Sequence, residues 1–197
     1  MARRSEHSLE ELRAMVLDAA ENLVVDEGFP ALTARRIAAE IGYTVGSIYM
    51  GYASMADLIL HLNARTLDAI AARLGQVREQ DAEAVALAYL HYASQNAERW
   101  RGVFACRLPA DTAIPDGYQE KLDKLFAPVE ARFAKLAPRL AEEQRRRAAR
   151  ALWSGVHGIC MLSLIGGPDD AVLEETEAAV VLLVRNFMRG WAASLPE

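Results

Sequence analysis

The chain has 197 residues, 52% hydrophobic and 25% charged, enough to bury a core as one domain or two small ones, and a wholly disordered, tail-like protein is excluded. Thirty-six alanines and 24 leucines stand against 12 glycines and 7 prolines, with an aromatic share of only 7%, and this weight of helix formers predicts an all-α fold. Lys and Arg number 22 against 27 Asp and Glu, a net charge of −5, which gives no support for binding nucleic acid or anionic membranes by overall charge, so any DNA contact must be local.

The first helix is announced by Ser8 and Glu11, a Ser-x-x-Glu capping box, and runs over about Leu9 to Glu27. Leu12, Val16, Ala19, Ala20, Leu23 and Val24 form its buried stripe, and Gly28 supplies the left-handed stop. Thr33 caps a second, short helix that ends at Gly42, with Leu32 and Ile37 placed as a hydrophobic staple. The same grammar recurs at once: Thr44 caps a third helix, stapled by Tyr43 and Ile48. Ser54, with Asp57 three residues on, opens a longer helix buried through Leu58, Leu62, Ile70 and Leu74.

After a polar connector at Gln76 to Gln80, Asp81 is placed to cap a helix reaching Ala97, apolar nearly all round and therefore central. A short helix around Trp100 to Arg107 leads into a loop between Leu108 and Pro115. From Asp116 the stripe Leu122, Leu125, Phe126, Val129, Phe133 and Leu136 is helical, with Pro128 expected to kink or divide it. Two last helices, about Pro138 to Leu164 and Ala171 to Ser194, are separated by Gly166-Gly167-Pro168-Asp169-Asp170 and should form an antiparallel hairpin. Arg145, Arg146, Arg147 and Arg150 read as a solvated face, while Glu174, Glu175, Glu177, Arg185 and Arg189 match the dipole of the final helix.

Cys106 and Cys160 lie far apart, giving neither a disulfide framework nor a CxxC pair, which fits a reducing cytosol. No apolar signal-like region follows the charged N-terminus and no run approaches the roughly 18 to 20 apolar residues that cross a bilayer, so a cytoplasmic protein with no membrane partner is expected. No nucleophile with its base, paired acid/base carboxylates or phosphate loop is present, so the chain reads as a non-enzyme needing no cofactor. A metal site from His91, His157 and Cys160 would require the fold to join distant residues, and none is expected.

The span Leu32 to Tyr52 has the spacing of a helix-turn-helix, whose second helix can enter a major groove. Around it, Leu17-x-Ala19-Ala20, Glu27-Gly28-Phe29, Leu32-Thr33, Ile37-Ala38, Gly42, Gly46-Ser47-Ile48-Tyr49 and Tyr52-x-Ser54 follow one another in a fixed order. This succession resembles the DNA-binding domain of the tetracycline-repressor family of bacterial regulators. Further on, Trp153-Ser154-Gly155-Val156-His157-Gly158 is similar to a Trp…His-Gly signature in one class of that family's ligand-binding domains.

The resemblance implies a helix-turn-helix domain at 8–54, a connecting helix at 55–75, and a ligand-binding and dimerisation bundle at 76–197, about nine helices in all. It implies a homodimer on a pseudo-palindromic double-stranded operator, most simply a repressor released by a small apolar or aromatic effector. Thr33, Thr44, Ser47 and Tyr49 would bond phosphates, and Arg36, Tyr43, Val45 and Gly46 would lie near base edges. Candidate pocket residues are Tyr89, Tyr92, Trp100, Phe104, Phe126, Phe133, Trp153, His157 and Met161, each also suited to a helical core. Val180, Val184, Phe187 and Trp191 are the candidate dimer face.

A second reading stays open. Met55 stands where the family's pattern has a phosphate-reaching lysine, and residues 1–66 carry six arginines against nine carboxylates. Both features also suit a related helical dimer that binds a small molecule or protein without DNA.

Overall fold

The computed structural model describes residues 7–77, 81–105, 109–110, 112–164 and 170–194. The basic arm at Arg3 and Arg4, Cys106, and the Gly166-Gly167-Pro168-Asp169 stop lie outside the described residues. Their regular structure is helical, without a strand: α1 (Leu9–Glu27), a 3-10 turn (Phe29–Ala31), α2 (Ala34–Ile41), α3 (Val45–Gly51), α4 (Met55–Gly75), α5 (Ala82–Gln95), α6 (Ala97–Ala105), α7 (Tyr118–Leu136), α8 (Glu142–Ser163) and α9 (Asp170–Ala193). They divide into two compact units, residues 1–66 with 98–118, and residues 67–97 with 119–197. That division differs from the linear boundary at 54 and 75, because α4 supplies residues to both units and α6 falls almost wholly in the first.

In the first unit, α1 begins at the expected capping box: the Glu11 amide donates to Ser8 Oγ at 3.2 Å and the Ser8 amide to Glu11 Oε2 at 2.7 Å. The expected stripe of α1 is buried, joined by Leu32, Ile37, Ala38, Ile48, Tyr52, Leu58 and Leu62 in a single core. Gly28 ends α1 at φ 79°, ψ 173° rather than in the left-handed helical region. It is still a conformation that only glycine adopts without strain. Gly42 does adopt the left-handed geometry, at φ 72°, ψ 26°, while the Tyr43 amide donates back to the Ala38 carbonyl at 2.9 Å. This closes the orphan carbonyls of α2 and turns the chain straight into α3.

The second unit is a bundle of α5, α7, α8, α9 and the C-terminal part of α4. Helices α5 and α9 run antiparallel, fixed by Glu83 to Arg185 at one end and His91 to Glu177 at the other. Helices α7 and α8 are likewise antiparallel, with Glu130 against Arg146 and Asp123 against Arg150. Gly155 lets α8 approach α9, since a Cβ there would sit 2.8 Å from Leu183 Cδ2.

Four local expectations need correction. Asp81 occupies the cap position of α5 but its side chain bonds no helix amide; its charge adds instead to the negative field around Arg185. That helix stops at Gln95 rather than Ala97, because Asn96 leaves helical geometry and its amide side chain caps the Tyr92 carbonyl at 3.1 Å. Pro128 does not divide α7, which continues through it to Leu136. Lastly, α8 starts at Glu142, the Pro138 region being taken up by turns whose carbonyls accept from Arg145.

Candidate nucleic-acid interface

Helix α3 is held to the first unit by its inner side. Ile48 is buried, and the buried Tyr52 donates its hydroxyl to the Arg13 carbonyl of α1 at 3.0 Å. The Arg13 guanidinium lies over the Tyr52 ring, 5.2 Å from its centroid, and His61 of α4 meets that ring edge-on. Gly51 is small because α1 is close: a Cβ there would stand 2.8 Å from Arg13 Cγ.

The opposite side of α3 faces solvent. Val45, Tyr49 and Met50 are 41%, 46% and 70% exposed. Gly46 is exposed between them. Thr44 Oγ1 accepts from the Ser47 amide at 3.3 Å and shares a 2.9 Å hydrogen bond with Ser47 Oγ. Thr33 caps α2 in the same way, accepting from the Arg36 amide at 3.3 Å. Tyr43 is half-buried and shares a 2.7 Å hydrogen bond with His7, which ties the segment before α1 to the start of α3.

The structure therefore brings Thr33, Tyr43, Thr44, Val45, Gly46, Ser47 and Tyr49 into one region. Arg36 belongs to it but is engaged: both of its terminal nitrogens donate to the Glu27 carboxylate, one of them at 2.7 Å. The guanidinium holds the Glu27 carboxyl below the usual carboxylate range. Arg35 is exposed and has no ion-pair partner among the described residues, so it is the freer cation. Sequence reasoning missed Arg35 as the less encumbered arginine, because Glu27 is nine residues from Arg36 and only the fold pairs them. It also missed Met50; the periodicity that buries Ile48 places position 50 on the far side of the helix and could have found it.

The nine pocket candidates do not form one cavity. Trp100 and Phe104 pack on each other in the first unit, ring centroids 5.3 Å apart, so they are not part of a pocket inside the second. Phe133 is fully buried against Trp191 and Phe187, at 4.5 and 6.2 Å between centroids. Tyr89, Trp153, Phe126 and His157 do come together: the Trp153 ring lies tilted against Tyr89 at 4.4 Å and meets Phe126 edge-on at 5.3 Å, while Tyr89 Oη and His157 Nδ1 share a 2.8 Å hydrogen bond. Beside Tyr89 and Trp153, a crevice walled by Val85, Val129 and Leu152 has about 10 Å³ of free space, room for about one water. Tyr92 is buried on α5 and Met161 is half-buried on α8.

Burial holds His157 below its ordinary 6.5. An unfolded chain takes up this proton as pH falls through 6.5 while the folded imidazole does not, so stability declines on mild acidification. We expect His157→Gln to show a smaller loss of stability between pH 7 and pH 5.5 in urea titrations; an unchanged pH dependence would remove His157 as a source. His91 and Cys160 are elsewhere engaged or buried, and no cluster of three metal-ligating side chains occurs among the described residues.

Of the candidate dimer face, Val180 and Val184 are fully buried within the single chain, while Phe187 and Trp191 are half-buried with their rings against Phe133. The outward apolar residues of the same hairpin are Leu162 on α8, 72% exposed, and Leu182 on α9, 63% exposed, with Val172 nearby in sequence.

A capped pair of short helices with an outward second helix, joined to an all-α bundle, defines a helix-turn-helix regulator class. Residues 16–62 match the bacterial regulatory proteins of the tetR family, and residues 82–187 match the tetracyclin repressor-like C-terminal domain. The chain belongs to that family. In fold it is similar to a tetR-family transcriptional regulator from Streptomyces coelicolor (TM-score 0.68, 16% identity, covering 95% of this chain and 84% of that one). It is also similar to a transcriptional regulator from Rhodococcus sp. Rha1 (0.65, 18%, 90% and 96%) and to a regulator from Aquifex aeolicus VF5 (0.61, 15%, 87% and 99%). No curated protein matches the sequence significantly. Among the described residues, no helix is long and apolar enough to cross a membrane.

Proposed function

We propose that the protein is a homodimeric repressor whose two α3 helices enter successive major grooves of a pseudo-palindromic operator, and that a small apolar or aromatic effector releases it. The observation that carries this reading is the outward side of α3. A rigidly anchored helix presents exposed Val45, Tyr49 and Met50 where a solitary soluble domain would gain nothing from them. Thr33, Thr44, Ser47 and Tyr49 serve as phosphate ligands around it, and Arg35 and Arg36 supply the local positive charge that the net composition lacks. The reading domain occupies 8–54, with the remainder from 76 onward binding effector and partner subunit through α8 and α9.

Effector binding requires the crevice beside Tyr89 and Trp153 to open, because about 10 Å³ is far below the roughly 300 Å³ of an ordinary ligand site. Pro128 supports such opening: it lacks an amide proton for the α7 ladder next to Val129, on the crevice wall.

The test is a titration of the purified protein on its own upstream intergenic DNA across salt, with an unrelated duplex as competitor. Specific binding with a steep salt slope is the expected result; absence of binding by a folded dimer would favour the DNA-free module. Glu27→Gln sharpens the test. Releasing Arg36 should raise affinity about two- to fivefold, the worth of a surface ion pair, and steepen the salt slope by about one ion. Unchanged affinity and slope would place Arg36 off the duplex.

A further inference from the structure

We infer that α3 reads thymine 5-methyl groups, with Met50 and Val45 as the specificity-determining side chains, so that the operator positions beneath them are T·A pairs. The inference rests on the DNA-reading function proposed above and names what that helix recognises.

The argument begins with what α3 lacks. From Val45 to Gly51 it has no Arg, Lys, Asn, Gln, Asp, Glu or His. None of its side chains can make the two-point hydrogen bonds that distinguish guanine or adenine in the major groove. Its hydroxyls are limited to Ser47, already bonded to the cap oxygen of Thr44, and Tyr49. What it does offer is apolar surface, with Met50 the most exposed large apolar side chain among the described residues of the first unit.

The geometry of the helix sharpens this. At ~100° per residue, Gly46 and Met50 lie ~40° apart and opposite the buried Ile48, so they form the outermost line of the helix. Val45, 41% exposed, stands apart from that line, ~100° round from Gly46 and ~140° from Met50, and its place in the first turn puts it at the N-terminal end of α3. A Cβ at Gly46 would meet nothing nearer than Thr44 Oγ1 at 3.7 Å, so packing does not require glycine there. A helical glycine that the fold does not need weakens the helix, and close approach of another surface accounts for it. With the backbone brought near the base edges at Gly46, Met50 and Val45 reach the groove floor.

There the thymine methyl is the only apolar group a base pair presents. A G·C pair beneath the same side chains offers no methyl, while both kinds of pair present polar edge groups that Met50 and Val45 leave unpaired. The methyl contact therefore carries the preference for T·A. Hydroxyls and arginines outside the line set the register, and Arg35 is free to read elsewhere.

The experiment uses the full-length protein and the operator segment located by footprinting its upstream DNA. That segment is resynthesised with deoxyuridine in place of one thymidine at a time, which removes a single methyl and leaves pairing intact. We expect about a fourfold loss of affinity at one or two positions per half-site, the value of one buried methyl group. Met50→Ala or Val45→Ala should weaken binding to the thymidine duplex yet abolish the effect of deoxyuridine at the matching position. A purely structural role would give a loss that is independent of the methyl. Specific binding that ignores every deoxyuridine substitution overturns the inference while leaving the DNA-binding function intact. Failure to bind any upstream segment overturns both.

Discussion

Leu182→Glu is expected to convert the proposed dimer into a monomer while the chain remains folded. Leu182 is 63% exposed in the isolated chain, so a carboxylate there is well hydrated until two subunits meet. In a two-fold interface the substitution appears twice, and each buried, unpaired carboxylate costs several kcal/mol. Sedimentation equilibrium should show dissociation with an unchanged circular dichroism spectrum. Operator affinity should then fall by about a hundredfold or more, because the second half-site is no longer engaged by a tethered partner. A variant that stays dimeric would move the interface away from the exposed face of α8 and α9. Val184→Glu is the contrasting control, for Val184 is 1% exposed and its replacement should unfold the bundle rather than merely split the dimer.

The second large effect is expected from Gly102→Ala. Gly102 is buried in α6, and a Cβ there would land on the edge of the Phe29 ring, at Cζ and Cε2. On the other side Asn63 is fixed, because its amide donates to the Gly102 carbonyl at 3.0 Å and its Oδ1 would be 3.2 Å from the new methyl. Alanine gains about 1 kcal/mol of helix propensity over glycine, whereas overpacking a core typically costs about 1–3 kcal/mol. With a direct clash on an aromatic ring the second effect should win, giving a net loss of about 1–2 kcal/mol in denaturant unfolding. Phe29→Leu combined with Gly102→Ala should recover part of the loss, as expected for two groups in contact. A more stable Gly102→Ala variant would show that the ring yields freely.

The legible parts of this protein are those whose signals are local. Ser8 with Glu11, Thr33 and Thr44 bond amides within three residues of themselves, so the starts of α1, α2 and α3 could be read from the chain. Gly42 marks its turn through backbone freedom alone. Asp81 shows the limit of such reading: it has the right residue type and position, yet its side chain bonds no helix amide. Arg36 is similar: it lies on α2, the helix before α3, and Glu27, nine residues away in sequence, occupies its guanidinium.

By itself, then, the sequence determined the all-α class, the helix order, the capped helix-turn-helix and the buried stripe of α1, because periodicity and capping are set by neighbours within one or two turns. Only the tertiary structure decided which apolar side chains became core. It turned Val180 and Val184 inward, left Leu162 and Leu182 outside, gave Trp100 to the first unit and closed the crevice beside Tyr89. An apolar stripe records that a face is to be covered, but its partner is chosen by the packing of helices distant in sequence, which no local spacing encodes.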